Sequence, residues 1–164
     1  MNYYESVVID YLRSDRSVFV NTECCIQLNS GANPDTSGLH WYCDAIAVDF
    51  RNSHVFLCEI SYSSQLKDLT KRLKGWHEKW AKVCDAVRRD CALPESWPVR
   101  PWLFVPEEVI PLLLRRLEQF QSDQPLTFVP RITPLEMVQP WRYRSWNRVD
   151  ELAKPSAIPE GMRM

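Results

Sequence analysis

The sequence predicts a single α/β domain with a mixed sheet, and three observations carry that prediction. Apolar runs of strand length, rich in β-branched and aromatic residues, recur through the chain. Two of them, "HWYCDAIAVDF" and "HVFLCEISYS", are joined only by "RNS", a connection short enough to force an antiparallel hairpin. After the hairpin the pattern changes to strand, helix, strand, which implies parallel neighbours.

In chain order, residues 2–13 place Tyr4, Val8, Tyr11 and Leu12 at three- and four-residue spacing, as one face of a short helix does. "SVFVNTECCIQL" reads as a strand and "NSGANPDTSG", dense in turn formers, as a long loop. The hairpin follows. The next helix is expected to open at Ser63 or Ser64 as N-cap and to run on as one stripe of Leu66, Leu69, Leu73, Trp76, Trp80, Val83 and Val87. Gly75 inside that stripe costs roughly 1 kcal/mol relative to Ala, which predicts close approach by another element. "WLFV" reads as a buried strand, Pro106, Glu107 and Glu108 as the first turn of a helix running through "VIPLLLRRLEQF", with Pro111 in its first turns allowing a slightly later start, and "PLTFVPRI" as a last strand. The resulting expectation is a three-layer α/β/α domain over residues 1–132, with a partly irregular or mobile extension over 133–164.

Composition narrows the classes of function. With 164 residues, 45% of them hydrophobic and 25% charged, the chain is long and apolar enough for a core, which excludes disordered and collagen-like classes. A net charge of −1 means that any nucleic-acid site is a local patch. The six cysteines form no CxxC pair and read as reduced core thiols. The amino-terminal stretch is polar and acidic, and no apolar run reaches the ~20 residues that span a bilayer, so a cytoplasmic protein without a membrane partner is expected. Few glycines and no HExxH or Ser/His/Asp pattern leave little room for nucleotide-loop or protease chemistry.

The hairpin carries the chemistry. If its turn centres on Asn52 and Ser53, Arg51 pairs with His54, Asp44 lies opposite Ser61 and Ile46 opposite Glu59. Alternation then puts Asp44, Glu59 and Ser61 on one face, the two acids being diagonal neighbours with Cα atoms about 7–8 Å apart. Two carboxylates on a partly apolar face repel each other and lose hydration. One must take up a proton, or a cation such as Mg²⁺ must join them. The plainer alternative is that both acids pair with lysines of the following helix.

The order of elements resembles the core of the PD-(D/E)xK nuclease superfamily, which includes many restriction endonucleases and Holliday-junction resolvases. The matching residues are Glu5 in "YYESVVIDYL", Asp44 in "WYCDAIAVDF" and Glu59 in "LCEIS", over residues 2–90. The resemblance implies a restriction-endonuclease-like fold and metal-dependent hydrolysis of phosphodiester bonds. Mg²⁺ or Mn²⁺ would be held by Asp44, Glu59 and the Ile60 carbonyl, with Glu5 binding through water or holding a second metal. Residue 61, where the superfamily has its lysine, is Ser61. Lys67, or Lys71 one turn on, is the expected substitute. The partner implied is nucleic acid, DNA before RNA, and a homodimer is the usual assembly for members that cut duplex DNA. Lys71, Lys74, Arg142 and Arg144 are the expected phosphate contacts, with tail aromatics for stacking. Each has a plainer reading, a solvated helix face for the lysines and a tail packed on the domain for the arginines. Two further readings stand beside the enzyme: the same fold without catalysis, as a nucleic-acid or protein-binding module, and an unrelated mixed α/β domain with incidental acids.

Overall fold

The structure is a computed structural model that describes residues 2–28, 40–122, 124–143 and 148. The loop expected at "NSGANPDTSG", residues 29–38, lies outside the described residues. Helix α1 (Tyr3–Arg13) opens with a capping box: Asn2 Oδ1 accepts from the Glu5 N–H at 3.0 Å and Glu5 Oε2 from the Asn2 N–H at 3.2 Å. Strands β1 (Val18–Gln27), β2 (His40–Asp49) and β3 (His54–Ile60) follow, then α2 (Lys67–Glu78), α3 (Trp80–Cys91), β4 (Val99–Val105), α4 (Ile110–Phe120) and β5 (Arg131–Pro134).

The five strands form one open sheet in the order β1-β2-β3-β4-β5. The first three pair antiparallel, whereas β3–β4 and β4–β5 are parallel, as the short hairpin and the strand-helix-strand order require. Two cores flank the sheet. Val55, Leu57 and Leu103 face α2, α3 and α4 through Leu66, Leu73, Trp76, Val83, Leu113 and Leu117. Phe56, Cys58, Trp102 and Phe104 face α1 and a turn at Leu135–Val138. Because β3 is covered on both sides, its sequence is a continuous apolar run, and a carboxylate in it is conspicuous.

Three expectations need correction. The hairpin register is moved by two residues: Asp49 pairs with His54 and Ala45 with Cys58, so Arg51 is not the partner of His54. The cause is the Asp49 carboxylate, which accepts the N–H groups of Arg51 (3.0 Å) and Asn52 (3.2 Å) and the Asn52 side-chain amide (2.7 Å), making a wider turn with Ser53 at φ 55°. The long helix does not start at Ser63 or Ser64; it starts at Lys67, after Leu66 at φ 52°, with no side-chain cap. It is also two helices, broken at Lys79, whose N–H turns to the Gly75 and Trp76 carbonyls. Gly75 meets the close approach that its presence predicts, since a Cβ there would lie 3.2 Å from the Trp41 ring.

β5 runs across the boundary expected after residue 132. Beyond it, Leu135 and Val138 are buried in the second core. Arg148, 1% exposed, donates from Nε to the Tyr11 carbonyl at 2.6 Å and stacks over the Tyr11 ring, closing the carboxyl end of α1. Among the described residues no helix is long and apolar enough to cross a membrane.

Candidate active site

The open end of the β2–β3 hairpin carries the acid pair. Pairing stops at Ala45–Cys58, and one step further along the same register sets Asp44 across from Glu59. The two-residue shift leaves side-chain parity unchanged, so the acids are direct rather than diagonal neighbours. On the other side of β2, the β1–β2 ladder skips the pair Glu23–Asp44, and Glu23 has φ 54°. Both strands change faces there: Val18 and Ala45 belong to the core under α1, whereas Cys24 and Cys43 belong to the core under α2 and α3. With the strand backbone turned away, the Asp44 carboxylate itself accepts the Ile60 N–H, Oδ2 to N 2.7 Å.

Glu59 is 3% exposed. Its Oε2 forms an ion pair with Arg72 of α2, and its Oε1 has no hydrogen-bond partner. Burial, reinforced by the Asp44 charge, pushes the Glu59 carboxyl well above its usual range despite Arg72. Burial also raises Asp44, with Glu5 adding to the effect, while the Ile60 N–H and Arg72 oppose it. The two acids therefore titrate as one system that keeps a proton to higher pH than a free carboxyl does.

Two concavities meet at Asp44. One of about 320 Å³ is lined by Asp44, Glu59, Ser61, Asp68 and Arg72, beside Tyr62. The other, about 400 Å³, opens between Asp44, Glu23, Tyr42 and Glu5. Glu5 thus borders the pair from α1, but its two oxygens accept from the Asn2 N–H and side-chain amide. Ser61 lies on the first concavity, and its Oγ accepts the Ser63 N–H at 3.4 Å.

Lys67, Lys71 and Lys74 are exposed on α2, and none of them lines the concavity that holds the acids. At about 100° per residue, Arg72 lies roughly 100–160° around the helix from these lysines, next to the buried stripe of Leu69, Leu73 and Trp76. That helical position is the signal by which Arg72, the cation that reaches the acids, is recognisable. Arg142 is exposed far along the chain, on a separate concavity of about 570 Å³ with Tyr3, Tyr62 and Trp141, and Arg144 lies outside the described residues.

A divalent cation would find two carboxylates and the Ile60 carbonyl here; among the described residues no group of three or more His, Cys, Asp or Glu side chains is arranged to hold a metal. The fit rests instead on Glu59 Oε1, a buried oxygen that no N–H or hydroxyl reaches: a proton shared with Asp44 satisfies the acid pair when it is protonated, and a hard cation is the group that would take that proton's place. Fold and site together define an α/β protein with a five-stranded mixed sheet and a buried acid pair at the mouth of its hairpin. No family model, curated protein or solved structure matches the chain.

Proposed function

We propose that the chain is a divergent PD-(D/E)xK-type, restriction-endonuclease-like nuclease that hydrolyses phosphodiester bonds in nucleic acid, DNA before RNA. The observation that carries this reading is the meeting of Asp44 and Glu59 in one concavity, one step beyond the last paired residues of the hairpin, with Oε1 of Glu59 buried and reached by no N–H or hydroxyl. Asp44, Glu59 and the Ile60 carbonyl are the residues that would hold Mg²⁺ or Mn²⁺, which when bound supplies a water of lowered pKa and neutralises charge on the phosphate. Arg72 takes the place that Ser61 leaves open. A guanidinium offers donors in a planar fork and no acceptor, so Arg72 acts by donation to phosphate oxygens and by holding Glu59. Asp44 fixes the end of β3 through the Ile60 N–H, which positions Glu59 beside it.

One observation favours the second reading, the same domain as a non-catalytic binding module: the Arg72 ion pair already neutralises one oxygen of the acid pair. The test is incubation with plasmid, single-stranded DNA and RNA in Mg²⁺ or Mn²⁺, beside Asp44→Ala/Glu59→Ala. Cleavage present in the parent and lost in the double variant supports the nuclease; cleavage equal in both ends it. Binding that survives the double variant and weakens steeply with salt supports the module. Melting supplies an independent readout. Mn²⁺ at one hundred times Kd stabilises by about 2.7 kcal/mol, and Glu59→Gln abolishes that shift.

A further inference from the structure

Cys24 and Cys43 are register partners across the β1–β2 ladder. Both are free thiols, both are buried in the core under α2 and α3, and they flank the place where the ladder omits the Glu23–Asp44 pair. Directly opposed residues on antiparallel strands have Cα atoms about 4.5–5.5 Å apart. That falls within the roughly 4.4–6.8 Å over which a disulfide forms. Opposed side chains also project from the same face, so neither strand has to turn over for the sulfurs to meet.

Access and pairing distinguish these two from Cys58. Cys58 is fully enclosed in the core beneath α1. Cys24, by contrast, lines a concavity of about 370 Å³ between β1 and α3, together with Thr22, Glu23, Cys25 and Cys91. A small thiol reagent entering there reaches Cys24 first, with Cys43 directly behind it across the ladder.

We propose that Cys24 and Cys43 are a dithiol modification site that a small disulfide of the glutathione class oxidises to a cross-strand cystine. The Cys24 thiolate displaces one thiolate from the incoming disulfide and forms a mixed disulfide. Cys43 then gives up its proton and its sulfur displaces the second thiolate from Cys24. The protein loses two electrons and two protons, and the small disulfide leaves as two thiols. The new bond ties β1 to β2 beside Asp44, where the backbone ladder is interrupted. The site does not depend on the acid pair being catalytic.

The experiment incubates the reduced full chain with oxidised glutathione, quenches with acid, alkylates in denaturant and maps the peptides. The expected result is a fall in alkylated thiols from six to four, with Cys24 joined to Cys43. Cys43→Ser, which removes the resolving sulfur, is expected to hold one glutathione on Cys24. Six alkylated thiols after exposure to oxidant, or a link that joins Cys24 or Cys43 to Cys25 or Cys91 instead, would overturn the proposal. The mapping of the unsubstituted protein decides the matter even if the serine variant folds poorly.

Discussion

The two ends of the β2–β3 hairpin each bury an acid against an arginine, and they treat it in opposite ways. Near the turn, Asp15 is fully buried, and both of its oxygens are donated to. Oδ1 accepts from the Ser17 N–H at 2.9 Å and the Ser17 hydroxyl at 2.8 Å, and Arg51 bridges both oxygens at 3.0 and 3.3 Å. Burial alone would raise its carboxyl, but the Ser17 and Arg51 donors outweigh it and the net shift is downward. At the open end, Glu59 has one arginine, one undonated oxygen and a second acid for a neighbour, and it is raised. A buried carboxylate with a full set of donors holds a structure together. One left short of donors beside a like charge is better suited to a ligand than to stability.

Breaking the first end should cost most. Asp15→Ala removes the acceptor of Ser17 and Arg51 together, with an expected loss of about 3 kcal/mol in denaturant unfolding. A loss as small as that of a surface substitution would remove the contrast. Arg72→Ala comes next. It leaves Glu59 buried without its cation, but the site answers by keeping its proton, and Arg72 is itself 34% exposed. The expected cost is therefore on the order of 2 kcal/mol, below the roughly 3–5 kcal/mol of a fully buried pair. The same variant should lose nucleic-acid affinity in the salt titration if Arg72 contacts phosphate.

The sequence makes the acid pair legible and its partner obscure, for physical reasons. Period two in strands keeps the same residues on one face for any register shift of even size, so a register moved by two still leaves Asp44 and Glu59 together, where a shift of one would have parted them. The turn itself depends on the Asp49 side chain capturing two backbone N–H groups, a choice that strand patterning does not encode. The break at Lys79 is equally hidden, because Leu69, Leu73, Trp76, Val83 and Val87 keep a helical spacing through it. Arg72 was readable from its place beside the apolar stripe. A search for lysine at helical spacing passes over it, since Lys67 lies nearer in sequence to Ser61 but points away from the core. Arg148 shows the limit of reading charge as function: among tail arginines suited to phosphate, it is the buried cap of α1.

The smallest effect separates the two ends most sharply, because it has opposite signs on the pH axis. Asp15 has a lowered pKa, so its contribution is present above the ordinary value of 3.8 and is lost as pH falls through the folded value. Glu59 has a raised pKa. Its folded site favours the protonated acid, so its effect on stability is most favourable below 4.5 and declines as pH rises toward the raised folded value. Glu59→Gln is a permanent mimic of that protonated acid. It should match the parent in stability at the acid end and exceed it progressively as pH rises, by at most about 1.4 kcal/mol per pH unit within the window. Asp15→Asn should do the reverse, approaching the parent only as pH falls below the usual carboxylate range. Urea unfolding of the three proteins from pH 3 to pH 9 reads both differences at once. A Glu59→Gln variant that instead fell progressively behind the parent as pH rose, as Asp15→Asn does, would mean that Glu59 is held ionised by Arg72 as Asp15 is by its donors, and the open end of the hairpin would then be a second structural ion pair.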